Sequence, residues 1–202
     1  MVITWHGKTN FKIQAGDAIL VIDPMAKGEI VYAPRFRSDI VLLTRPAASG
    51  EKPADNAPLM ITGPGEYETR SIVITGVPVT ADRNGGKEKG LSTCYRLVWE
   101  DIRIAHMGAW SDDALRSETE EHIGSVDILF IPIENPTAAA KAIRKIAPSV
   151  AIPMNFDDDS ALLKEFAKDM NMQVQAPEEK LVIRKKDFSV EDKTKIVVLK
   201  AL

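Results

Sequence analysis

Apolar positions in the first half of the chain come in short runs, several alternating with polar residues, and turn-forming residues end each run after a few positions. Val2–Trp5, Phe11–Gln14, Ala18–Ile22, Asp39–Thr44, Leu59–Thr62 and Ser71–Thr75 follow this pattern, which predicts strands joined by brief connections. Ala15-Gly16-Asp17 has the composition of a hairpin turn, and Asn84-Gly85-Gly86 marks a longer turn ahead of a strand over Thr93–Trp99. Glu100-Asp101 then turns the chain tightly into Ile102–Ala105.

The period changes later. Ser111 is placed to cap a helix running to about Glu121, and Thr137–Ile146 sets Ala139, Ala142, Ile143 and Ile146 on one face. Asp159 is placed to cap Ala161–Met170, with Leu162, Leu163, Phe166 and Met170 inward. Between these helices, Val126–Ile131 and Val150–Ile152 are apolar enough to be central strands covered on both faces. Strands in blocks with helices inserted late restrict the chain to an α/β or α+β class, and periodicity goes no further. No repeat, linker or low-complexity segment divides the 202 residues, so one domain over 1–202 is expected.

A formal net charge of −3 leaves no basic surplus to neutralise a phosphate backbone, which disfavours nucleic acid as a partner. The single cysteine, Cys94, excludes an internal disulfide, and inside a predicted strand it reads as a small buried apolar group. The amino-terminal Met1-Val-Ile-Thr-Trp5 enters a strand without a basic leader, and no apolar run reaches the length of a membrane span. A soluble cytoplasmic protein without membrane contact is expected.

Five motifs carry more than periodicity does: Ile22-Asp23-Pro24, Gly63-Pro64-Gly65-Glu66-Tyr67-Glu68, His106-Met107-Gly108-Ala109, Val126 to Pro132, and Ile152-Pro153-Met154-Asn155-Phe156. In this order they resemble a small metal-dependent hydrolase family of the metallo-β-lactamase superfamily, through most of the chain. The resemblance implies a four-layer αββα sandwich, two mixed sheets face to face with helices outside. The endings Lys180–Asp187 and Thr194–Leu199 match that family as well.

The resemblance breaks at the metal. The family's loop T-H-x-H-x-D-H keeps only Thr44; its histidines fall at Arg45, Ala47 and Gly50 and its aspartate at Ser49. A further family histidine falls at Ala81, the bridging aspartate of H-L-G-D at Ala109, the histidine of I-P-M-H at Asn155, and that of G-H-x-x-F at Lys8. Zinc takes imidazole, thiolate or carboxylate, and a permanently charged guanidinium repels it. The ligand set is lost as a unit, so no metal ligand, no catalytic residue and no cofactor are expected.

Six residues remain as candidates in the former-site cleft: Asp23, Arg45, Glu66, Asp82, His106 and Asn155. Asp23 supports the metal loop by hydrogen bonding in the resembling family; without a metal a buried carboxylate needs another partner, and Arg45 is the natural one. His106 reads as a hydrogen-bonded histidine at a strand end. Glu66 and Glu68 share one side of the chain and face solvent. His6 reads as structural, and His122 complements a helix carboxyl terminus. Ser49 lies in no nucleophile elbow, Gly63-Pro64-Gly65 is too short to cradle phosphate, and Asp157-Asp158-Asp159 lacks calcium-loop spacing.

Two functions compete. The first is a metal-free pseudoenzyme, a binding or scaffolding module for an unknown protein partner or for itself. The alternative is an enzyme, either a metal-dependent hydrolase with a weakly bound divalent metal on oxygen ligands such as Asp23, Asp82, Glu66 and Asn155, although such sites favour ions that activate water poorly, or a hydrolase that works without metal. A stable complex with a zinc-bearing paralogue is a third form.

Overall fold

The computed structural model describes residues 1–26, 29–30, 37–46, 58–83, 88–110, 117–157, 161–173, 176–188 and 193–202. The first strands are β1 (Val2–Trp5), β2 (Phe11–Ala15), β3 (Ala18–Ile22), β4 (Met25–Ala26), β5 (Glu29–Ile30), β6 (Ile40–Leu42) and β7 (Leu59–Ile61). There follow β8 (Gly65–Thr69), β9 (Ile72–Arg83), β10 (Glu88–Trp99), β11 (Ile102–His106), β12 (Ile128–Pro132), β13 (Val150–Met154), β14 (Leu181–Val182) and β15 (Lys195–Ile196). The described helices are α1 (Ser117–Ile123), α2 (Pro136–Ile146) and α3 (Ala161–Asp169).

Two mixed sheets form the expected sandwich. One has six strands in the order β14-β1-β2-β3-β6-β7, the other seven in the order β15-β13-β12-β11-β10-β9-β8, while β4 and β5 make a small ribbon. The continuous apolar runs of β3 and β6 are explained by burial on both faces. Leu20, Ile22, Ile40 and Leu42 point into the main core, whereas Val21, Val41 and Leu43 join Ile30 of β5 in a second cluster on the opposite face. α2 packs on the seven-stranded sheet and against α3, burying Ala139, Ala142 and Ile143 as the helical period predicts.

β9 and β10 run far beyond the expected Ser71–Thr75 and Thr93–Trp99, and β9 passes through Gly76 and Pro78. β8 pairs with β9 only from Ile72 to Gly76, so at Pro78 that side of the strand carries no described partner and the missing N–H costs no ladder bond. Pro153 is accommodated likewise: β13 pairs with β15 only at Val150 and Ala151. β8 is a strand that the apolar pattern does not predict. α2 starts one residue early, with Pro136 in its first turn and the Asn135 side chain accepting the Ala138 N–H. The expected caps Ser111 and Asp159 lie outside the described residues.

Candidate functional site

Parallel pairing of β3 with β6 matches Ile22 to Leu42, so the residues that follow these strands meet at one edge. Asp23 has φ 47°, a left-handed conformation that aspartate tolerates. Its N–H donates to the Leu42 carbonyl at 2.9 Å. Its carboxylate accepts the Thr44 N–H at 2.7 Å and the Thr44 hydroxyl at 2.6 Å. Complete burial pushes the Asp23 pKa up, and the two Thr44 bonds only partly oppose this.

The expected Asp23–Arg45 pairing is therefore corrected. Thr44 supplies both donors, Arg45 lowers the Asp23 pKa only through its field, and no ion pair joins the two among the described residues. A single threonine reaches both oxygens with backbone and side chain, so each carboxylate oxygen has a partner without the guanidinium. Arg45 is half-buried, and its Nε has no hydrogen-bond partner among the described residues.

The opposite sheet clamps the same loop. Thr93 N–H and Ser92 Oγ both donate to the Thr44 carbonyl, at 2.8 and 3.1 Å. The Tyr95 hydroxyl lies 2.9 Å from the Leu43 carbonyl and 3.2 Å from that of Ile61. Gly108 completes the approach: with φ 63°, a Cβ there would lie 3.0 Å from Thr44 Cβ and 3.1 Å from the Thr93 carbonyl oxygen. Glycine is demanded by both backbone angle and space.

His106 ends β11 fully buried, with its ring near Phe11 and Phe130. Nδ1 accepts the Gly108 N–H at 3.2 Å, so Nε2 carries the proton and donates to the Thr9 carbonyl at 3.1 Å. Burial pulls its pKa down to about 3, against the opposing pull of the Thr9 bond, so the ring is neutral. Asn155 follows β13 at φ 61°, half-buried, and its N–H donates to the Lys8 carbonyl at 3.2 Å. Lys8 Nζ lies 3.3 Å from Asp157.

Asp23, Thr44, Arg45, His106, Ala109 and Asn155 thus follow or end strands whose carboxyl ends are linked by the contacts above. Ala81 and Ala109 are buried. Glu66 is different: it sits on edge strand β8 opposite Thr75, exposed like Glu68. Asp82 lies in β9 across from Lys89, and its side chain, like Ala47, Ser49 and Gly50, lies outside the described residues. Cys94 is buried, with Sγ 3.1 Å from the Met107 carbonyl oxygen, and burial pushes its thiol pKa up. The clamp residues Ser92, Thr93 and Tyr95 carry no motif; their only sequence signal is polar side chains at positions of β10 that turn out buried.

A family model described as a beta-lactamase superfamily domain matches residues 2–155. No curated protein matches. Among solved structures, a candidate zinc-dependent hydrolase of the metallo-β-lactamase superfamily from Thermotoga maritima is similar at 21% identity and a TM-score of 0.74, with 98% of each chain covered. Igni18, a metallo hydrolase from Ignicoccus hospitalis, aligns at 15% identity and a TM-score of 0.62, covering 91% of this chain and 99% of its own. An isothiocyanate hydrolase from Delia radicum gut bacteria aligns at 13% identity and a TM-score of 0.62, over 100% of this chain and 97% of its own.

Proposed function

The chain belongs to the beta-lactamase superfamily, and from that premise we propose that it is a metal-free, catalytically inactive member acting as a binding or scaffolding module. One observation carries the reading. Among the described residues, the buried rim side chains that could ligate a metal, Asp23 and His106, have their polar atoms engaged inside the protein by Thr44, Gly108 and Thr9.

The rim residues described do not fit the metal that the fold family implies. Among the described residues no three His, Cys, Asp or Glu side chains are grouped to hold an ion. The orphaned atom at the first ligand position is Arg45 Nε, a cationic donor that suits an anion or a carbonyl and opposes a cation. Arg45, Ala81, Ala109 and Asn155 supply no imidazole, thiolate or carboxylate to a zinc ion. An oxygen-only site on Asp23, Asp82, Glu66 and Asn155 would require the fully buried Asp23 to open to the cleft and Glu66 to leave an exposed edge strand. Its partner, on this reading, is a protein or a second copy of the chain, and no charge surplus favours nucleic acid.

The test is elemental analysis of protein purified from zinc-, manganese- and iron-supplemented medium and then dialysed. The expected result is well under about one equivalent of any of these metals, where a three- or four-ligand zinc site would hold one. About one equivalent, lost in Asp23→Ala or Asn155→Ala, overturns the reading. Phosphodiester, lactone and β-lactam substrates are expected to turn over no faster with the protein than without it.

A further inference from the structure

β11 and β12 are parallel neighbours, with Ile104 matched to Ile128, so the segments that leave their carboxyl ends emerge on one side of the sheet. In open α/β sheets this is where ligands are taken. Between the two segments lies a cavity of about 450 Å³ lined by Trp110, Ala138, Ala142, Lys141 and Lys145, with Asn135 and Thr137 where α2 begins. That volume falls in the usual range for small-molecule sites, roughly 300–1,000 Å³.

The lining is apolar on one part and donor-rich on the other. Ala138, Lys141, Ala142 and Lys145 recur at helical spacing on one face of α2. Trp110 is only 8% exposed, yet its Nε1–H has no hydrogen-bond partner among the described residues. Trp5 shows the ordinary arrangement, its Nε1–H donating to the Lys8 carbonyl at 2.9 Å. A buried indole N–H normally finds an acceptor, and no described atom of the lining accepts from this one. The Asn135 side-chain oxygen caps α2, and the Thr137 hydroxyl lies 2.7 Å from Asp169. Lys145 is paired with Glu120 at 2.5 Å. Lys141 makes no ion pair among the described residues.

An indole N–H and an ammonium with no described ion-pair partner, beside an apolar floor, complement a group that only accepts hydrogen bonds and carries negative charge. We propose that this cavity binds a small carboxylate with an apolar body. The carboxylate accepts from Trp110 Nε1–H and pairs with Lys141, while the body lies against the indole, Ala138 and Ala142. Glu120 and Asp169, two acids that touch this lining, are already bonded to Lys145 and Thr137. The proposal holds whether or not the rim carries a metal, and its readout is separate from metal content.

The experiment is a titration of ¹⁵N-labelled full-length protein with phenylacetate, following the indole Nε1–H signals and assigning Trp110 by its loss in Trp110→Phe. The Trp110 signal is expected to shift saturably, with a dissociation constant of about 1 mM or tighter, while the Trp5 signal stays in place. Neutral phenylacetamide should bind about tenfold more weakly, and Lys141→Ala should weaken phenylacetate at least about threefold, with Lys141→Arg recovering most of it. Lys141 is exposed on a helix, so its replacement leaves the fold intact. No saturable Trp110 shift up to about 20 mM, equal binding of acid and amide, or unchanged affinity in Lys141→Ala would each overturn the proposal.

Discussion

Asp23 and Arg45 lie near enough for one charge to feel the other, but the hydrogen bonds go to Thr44, and this distinction is measurable. Asp23→Ala leaves the buried Thr44 N–H and hydroxyl without their acceptor and should cost about 3 kcal/mol, since each buried donor left unsatisfied costs about 1–3 kcal/mol. Arg45→Ala should cost less than about 1 kcal/mol. Urea midpoints of the two variants decide: a larger loss in Arg45→Ala would reverse the assignment. His106 adds a pH dependence of definite sign. Its folded pKa, about 3, lies below the value near 6.5 of an exposed histidine. Between these limits the unfolded chain binds a proton that the folded ring refuses, so stability is full above about pH 6.5 and falls as pH drops toward 3. His106→Gln should lower stability at pH 7 yet flatten the slope between about pH 6 and 4; an unaltered slope would assign the titration elsewhere.

At the scale of elements, the starts of β11 and β12 are tied by one buried carboxylate. Asp127 accepts from Arg103 N–H at 2.7 Å, from the Arg103 guanidinium at 2.6 and 3.0 Å, and from Lys185 at 3.1 Å. Burial pushes its pKa up, but the Arg103 and Lys185 bonds outweigh it and hold the carboxyl at about 2. A depressed folded pKa stabilises above the unfolded value near 4 and is lost as pH falls from 4 to 2. Asp127→Asn should therefore cost on the order of 2 kcal/mol at pH 7 and much less near pH 2, read from denaturation at the two pH values. Most strands were legible because alternation and burial follow from the pleat, as in β2, where Phe11, Ile13 and Ala15 are buried. The lengths of β9 and β10 were not, because whether Pro78 breaks a strand depends on where β8 stops pairing, a non-local fact. The site divided the same way. Asp23 and His106 stood out in short motifs, whereas the bonds from Ser92, Thr93 and Tyr95 to the Leu43–Thr44 backbone cross between sheets and leave no local pattern. Charge complementarity suggested Arg45 for Asp23 because composition cannot reveal that Thr44 presents two donors at once.

At the scale of the whole molecule, the question is whether the two sheets form one cooperative unit. A continuous apolar cluster contains inward residues of both, from Ile3, Phe11 and Leu20 of the six-stranded sheet to Leu97, Ile104 and Ile152 of the seven-stranded one. It takes in Ile143 of α2, Phe166 of α3 and Val197–Leu199 as well. Neither sheet can expose its inner face alone without losing burial at about 25 cal/mol per Å² across the interface. The bonds from Thr93 and Tyr95 to Thr44 and Leu43 would break in the same step. Trp5 in the first sheet and Trp99 in the second are both buried and report on the two layers separately. Two variants, one keeping only Trp5 and one keeping only Trp99, should give urea fluorescence midpoints that each coincide with the far-ultraviolet circular dichroism midpoint of the same variant. The remaining tryptophans would be replaced by Phe. Substitution shifts overall stability, so the comparison is between probes within a variant and never between variants. A Trp5 transition that precedes loss of the dichroism signal would mean the six-stranded sheet opens on its own, and residues 1–202 would then contain two units rather than one.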